Sequence, residues 1–249
     1  MEQGKAGRIQ DQKGVPGIIL LKIGDIQRFS LIDYPGRICA SVFTQGCNFK
    51  CPYCHNPELV IPSLYRDTIA DGEIFNFLEK RKGKLDAVNI TGGEPTLQID
   101  LIDFITRIRS LGYLVKIDTN GSFPEVLTKL IDNRLLDYIA MDVKAPLEKY
   151  GEVTGSSTAP EKIAESIKLI MESGIDYEFR TTIVKSLLTE KDMEKIGMLT
   201  SGARCHVLQK FVPSKTLDPR FMNEYTFTDE EISNVKTTME KLVQSVIVR

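Results

Sequence analysis

Six times between Ile38 and Phe211, a short run of β-branched and apolar residues is followed by a turn and then by a stretch with helical periodicity. The runs are Ile38–Thr44, Ala87–Thr91, Tyr113–Asp118, Tyr138–Val143, Tyr177–Val184 and His206–Phe211. Between them, Leu101, Ile105 and Ile108 fall on one helical face, as do Ile163, Ile167 and Ile170. Other helices are expected from about Asp67 to Lys80, from Pro124, from an N-cap at Thr189 to Ser201, and from Thr228 to about Val243. Glu231, three residues after Thr228, completes a capping-box pattern. Alternation of this kind calls for βαβ units and a parallel sheet, either open and doubly wound or curled into an incomplete barrel.

The chain has 249 residues, enough for one large α/β domain, and no linker divides it. Met1–Gly17, rich in glycine and charge, reads as an N-terminal arm, leaving 18–249 as a single domain. The net charge of −2 provides no polybasic field for nucleic acid or anionic lipid. The apolar run Ile18 to Leu21 is far too short to span a membrane, and the arm lacks a signal-peptide core. A cytoplasmic location is expected. Five cysteines, an odd number, argue against a disulfide framework.

In βα folds the chemistry gathers where strands end and loops begin. Cys47, Cys51 and Cys54 follow the first strand and Thr91-Gly92-Gly93-Glu94-Pro95 the second. Asp118-Thr119-Asn120-Gly121 follow the third, and Asp142 and Lys144 close the fourth. The spacing C-x3-C-x2-C puts three soft ligands on one loop, suited to an iron–sulfur cluster with one open iron or to zinc. A structural Cys3His zinc site would need His55, which is adjacent to Cys54 and poorly placed to close a tetrahedron.

CNFKCPYC, with Tyr53 as the aromatic before the last cysteine, followed by the GGEP run Gly92–Pro95, resembles the radical S-adenosylmethionine (SAM) superfamily. The resemblance implies a partial (β/α)6 TIM-like barrel in which Cys47, Cys51 and Cys54 carry a [4Fe-4S] cluster that binds and reductively cleaves SAM. Arg28-Phe29-Ser30-Leu31-Ile32-Asp33-Tyr34-Pro35-Gly36 and QGCNFKCPYCHNPE are similar to glycyl radical enzyme activating proteins. Those of anaerobic ribonucleoside-triphosphate reductase are the most similar group. The implied activity is an oxidoreductase that installs a glycyl radical on a partner enzyme under anaerobic conditions. An external donor such as ferredoxin or flavodoxin would supply the electron.

By the same resemblance, Tyr53, Gly92, Gly93, Glu94, Asp118, Asp142, Lys144 and Arg180 become SAM-site residues. Asp118, Thr119, Met141 and Asp142 become candidates for a monovalent cation, and no protein acid or base is required. Relatives with a late histidine at the SAM site have no counterpart here, where the chain reads Leu208-Gln209-Lys210-Phe211. Containing a radical demands a closed, apolar barrel interior. A pyruvate formate-lyase-like partner, a small-molecule substrate and a non-catalytic zinc module remain as alternatives.

Some residues have plainer readings. Cys39 is expected in the core and Cys205 as a buried thiol. His206 reads as a strand residue, and His55 as a possible neighbour of the cluster or substrate. Asp142, Lys144 and Arg180 could simply be ion-paired at a sheet end.

Overall fold

The structure, a computed structural model, describes residues 21–249; the arm Met1–Gly17 lies outside them. Eight strands form one sheet in chain order. β1 (Ile23–Ser30) runs antiparallel to β2 (Cys39–Thr44). From β2 the sheet is parallel through β3 (Ala87–Gly92), β4 (Leu114–Thr119), β5 (Tyr138–Asp142), β6 (Asp176–Ile183), β7 (His206–Lys210) and β8 (Val246–Val248). The strand order never reverses, so there is no doubly wound switch point. Right-handed crossovers taken always in one direction put the helices on one face and curl the sheet. β1 and β8 end the order unpaired with each other, leaving an incomplete barrel. It extends the six expected parallel strands by one at each edge.

The helices are α1 (Pro57–Val60), α2 (Asp71–Lys80), α3 (Leu101–Ser110), α4 (Pro124–Asp132), α5 (Tyr150–Thr154), α6 (Pro160–Glu172), α7 (Glu190–Leu199) and α8 (Asp229–Met239). Their apolar stripes are buried: Ile74 and Leu78 of α2, Phe104 and Ile108 of α3, Ile163 and Ile170 of α6. Thr189 and Thr228 both form full capping boxes, with Asp192 and Glu231. α2 starts later than Asp67 because Ile69 bridges Ile23 of β1, which holds that stretch extended. α8 stops at Met239, short of Val243, because the chain turns there to feed β8.

Strand register layers the barrel lumen. Tyr34, Cys39, Ala87, Leu114 and Tyr138 make an apolar floor. Above it the paired positions Ser41, Asn89 and Lys116 are polar, and higher still come Asp118, Glu178, Asp142 and Arg180. The expectation of an apolar interior is therefore corrected: above the floor the lumen mixes paired charges with apolar residues such as Phe49 and Val60. The charges above the floor are paired with one another, which offsets the cost of burying them. Glu178, almost fully buried, shows the pattern, accepting from Tyr138 Oη at 3.3 Å and from both terminal nitrogens of Arg249 at 3.1 and 3.0 Å.

Candidate active site

The loop after β2 carries the three clustered cysteines. A tight turn donates Cys54 N–H to the Cys51 carbonyl at 3.0 Å, and Lys50 N–H is held at 2.7 Å by the Thr154 carbonyl of α5. Phe49 N–H points at Cys47 Sγ, 3.4 Å away. Burial pushes the Cys47 thiol up to about 12 and Cys51 to about 11, and raises Cys54. Thiols raised in this way hold their protons at neutral pH, so a metal bound here would have to displace them.

A cavity of about 270 Å³ opens at the C-terminal ends of β2 to β7, near the lower end of the size range of small-molecule sites, roughly 300 Å³ upward. Cys47, Cys51, Cys54, Tyr53, Gly92, Gly93, Asp118, Thr119, Asp142, Lys144 and Arg180 all line it. Two candidates lie elsewhere. Met141 is wholly buried with its side chain packed against Gly121, and Glu94 sits behind the wall. The lining also takes in residues the sequence did not single out, notably Asn120 and Thr182. Thr182 lies two positions from Arg180 at a strand end, and Asn120 lies inside the Asp118–Gly121 motif; alternation and motif position were the signals that could have found them.

Glu94 organises the loops. Its carboxylate accepts from Thr96 N–H at 3.1 Å, Thr119 Oγ1 at 2.8 Å and Asn120 N–H at 2.7 Å, and from the Thr96 hydroxyl. Burial raises its pKa, and these donors oppose the rise. The adjacent glycines serve backbone contact. Gly92 adopts φ 109°, and a Cβ there would strike the Thr44 backbone. A Cβ on Gly93 would overlap the Gly46 carbonyl. Asn120 completes the junction, donating through its side chain to Asn48 Oδ1 at 3.0 Å and lying 3.9 Å from Cys47 Sγ.

The opposite wall is a ladder of charge. Arg180 bridges two carboxylates, with Nε 2.8 Å from Asp142 Oδ1 and Nη1 3.4 Å from Asp118 Oδ1. Lys144 Nζ takes Asp142 Oδ2 at 2.8 Å. Lys116, also buried, ion-pairs with Asp118 Oδ1, while Asn89 donates to Asp118 Oδ2 at 3.3 Å. Burial alone would raise both aspartates, but Arg180 first, then Lys116 for Asp118 and Lys144 for Asp142, hold them below the usual carboxylate range. Desolvation likewise works against Lys144, but Asp142 outweighs it and keeps the ammonium charged. The plain ion-pair reading is therefore geometrically true of these residues, and they face the cavity as well.

His55 stacks on Phe211 with centroids 5.6 Å apart, and burial lowers its pKa. Gln209 also faces the cavity, accepting from Thr182 Oγ1 at 3.4 Å. Cys39 is fully buried in the floor, and Cys205 is half-buried with its thiol raised, first by burial and then by Glu178.

The donor set suits an iron–sulfur cluster. Among the described residues no three His, Cys, Asp or Glu side chains are gathered as a single-ion site. Cys47, Cys51 and Cys54 are soft ligands on one short loop and all three line the cavity, the kind of donor such a cluster takes. The cavity also suits a ligand that is partly polar: Tyr53 Oη is buried there without a hydrogen-bond partner, and Lys144 and Arg180, both ion-paired with Asp142, line it.

The sequence profile of the Radical SAM superfamily matches residues 41–199. A Methanocaldococcus jannaschii protein provisionally named a glycyl-radical enzyme activating enzyme is 36% identical over 232 residues, 91% of this chain and 95% of that protein. A pyruvate formate-lyase-activating enzyme of Listeria monocytogenes is 34% identical over 155 residues, 57% of this chain and 61% of that protein. Among solved structures, Streptococcus suis SuiB bound to S-adenosylmethionine superposes with a TM-score of 0.59 at 16% identity, covering 82% of this chain and 47% of SuiB. Escherichia coli QueE covers 92% of both chains at a TM-score of 0.51 and 14% identity. Both superpositions speak to the fold. The chain belongs to the radical SAM superfamily, in the family of glycyl-radical enzyme activating enzymes. Membership makes it an oxidoreductase-type enzyme and implies SAM and an iron–sulfur cluster. No helix among the described residues is long and apolar enough to cross a membrane.

Proposed function

We propose that the chain installs a glycyl radical on a partner enzyme, with Cys47, Cys51 and Cys54 holding a [4Fe-4S] cluster and SAM occupying the adjoining cavity. When bound, the cluster supplies the electron that cleaves SAM and so begins hydrogen abstraction from the partner's glycine. The carrying observation is convergence: loops from successive strands bring three cysteines, a glycine pair and a paired charge ladder onto one cavity. Gly92 and Gly93 give SAM a wall of bare backbone. Lys144 and Arg180, locked by Asp142, offer fixed positive charge to its carboxylate, and Tyr53 supplies an unspent hydroxyl. No protein acid or base is needed.

Anaerobic ribonucleoside-triphosphate reductase is the partner we propose, on the Arg28–Gly36 and QGCNFKCPYCHNPE runs. Ferredoxin or flavodoxin would be the donor. A pyruvate formate-lyase-like partner is the second reading, favoured by the relatives that carry that name. The test incubates reduced, reconstituted protein and SAM with each enzyme and records the paramagnetic spectrum. A glycine-centred doublet with the reductase supports the first reading, and one with the lyase alone supports the second. Doublets with neither, alongside SAM-dependent turnover of a small molecule, would overturn both.

A further inference from the structure

The residues that resemblance offers to a monovalent cation are already committed. Asp118 Oδ1 is taken by Lys116 and Arg180, and Asp118 Oδ2 by Asn89. Asp142 Oδ1 is taken by Arg180 and Asp142 Oδ2 by Lys144. Thr119 Oγ1 donates to Glu94 at 2.8 Å and accepts Gly121 N–H at 3.1 Å, and Met141 is packed beneath Gly121. A further cation would have to displace one of these partners and would join three positive groups that face two negative ones.

We infer that Lys116 is a positioning residue that does a bound cation's work here, neutralising Asp118 from within the chain and making the SAM site independent of monovalent ions. Lys116 lies two residues before Asp118 on β4, so both side chains point to the same face of the strand. It is 2% exposed at the centre of the lumen, and besides Asp118 its ammonium has Asn89 Oδ1 at 3.3 Å. A tethered ammonium is present in every folded molecule, whereas a free ion must be bound from solution. Burying a lysine is costly unless it is paired, and Asp118 and Asn89 together supply that pairing. With Lys116 engaged on Asp118, Arg180 makes its shorter contact, 2.8 Å, to Asp142, which in turn pairs with Lys144 beside the cavity.

The inference rests on SAM occupying the cavity, and the experiment separates the two. SAM affinity of the anaerobically reconstituted protein is measured by equilibrium dialysis in sodium, potassium or choline chloride at one ionic strength. The expected result is wild-type affinity constant within about twofold across the three salts, exposed charges being screened alike. Lys116→Met and Lys116→Gln, checked for folding by circular dichroism, should bind about tenfold or more weakly in choline, because Asp118 is left under-neutralised. Sodium or potassium should restore much of that loss. Wild-type affinity that collapses in choline overturns the inference and leaves the SAM site standing, with no variant needed. Variants that match wild type, or whose loss no ion repairs, also overturn it. Absence of SAM binding in every salt removes both the inference and the site beneath it.

Discussion

Asn120 donates its backbone N–H to Glu94 Oε2 at 2.7 Å, tying the loop after β4 to the loop after β3. Thr119 and Thr96 bond the other oxygen of the same carboxylate, so the Glu94 side chain is an internal clamp with both oxygens engaged. Glu94→Ala should strand these buried donors and lower the stability of the metal-free protein by about 3 kcal/mol, each orphaned group costing roughly 1–3. Urea unfolding measures this. Unchanged stability with a selective loss of SAM affinity would show that the carboxylate meets ligand after all.

The two adjacent glycines of that loop are not interchangeable with alanine, and the reason differs from glycines in ordinary turns. A side chain on Gly93 has nowhere to go except into the Gly46 carbonyl, one residue before Cys47. Gly93→Ala should therefore displace the cysteine loop and lower the iron bound per chain after anaerobic reconstitution. Gly36→Ala is the control. Its φ of 69° costs about 1–2 kcal/mol in backbone strain, yet nothing lies within 4 Å of the added methyl. Its iron content should match wild type.

Arg180 serves two carboxylates, and its loss leaves each with a single cation, Lys116 or Lys144. Arg180→Met is expected to destabilise the chain by about 3 kcal/mol, the scale for removing one partner from a buried pair. Arg180→Lys cannot reach both aspartates with one ammonium and should recover only part of the loss. Denaturant midpoints of the three proteins give the ranking, and a full recovery by lysine would exclude the bridging role.

Much of this was legible in the chain. The six inner strands, the capping boxes and the cysteine and glycine motifs each carry a local signal that the fold leaves intact. β1 was not legible, because only its end residues Ile23 and Ser30 are buried while Gly24 to Phe29 are half-buried or exposed, and an edge strand paired on one side shows little periodicity. β8 is three residues long and has no pattern to read. Lys116 and Asn89 were missed for a deeper reason. In a flat sheet with one wet face, polar residues at alternate positions, as Lys116 and Asp118 are, mean solvent; in a barrel the second face is the lumen, and the same alternation marks the site. The direction of the Glu94 carboxylate, turned to Thr96, Thr119 and Asn120, was not legible because motif position names a residue without saying which way its side chain turns.

His206 gives the pH dependence its sign. The imidazole is wholly buried, with Thr181 Oγ1 3.0 Å from Nε2 and Thr200 Oγ1 3.2 Å from Nδ1, and burial lowers its pKa from 6.5 to about 3. The folded ring is neutral at physiological pH, so it donates from one nitrogen only. One threonine must then give its proton to the ring instead of to a backbone carbonyl. A histidine with a depressed folded pKa leaves stability intact above 6.5 and withdraws it as pH falls towards 3, because only the unfolded chain takes up the proton. At pH 5 the loss from this group is about 2 kcal/mol, at about 1.36 kcal/mol per pH unit. His206→Gln should be less stable at pH 7.5 yet lose this part of the slope between pH 6.5 and 5. Parallel stability curves for the two proteins across that interval would show that the buried imidazole is not the group being titrated.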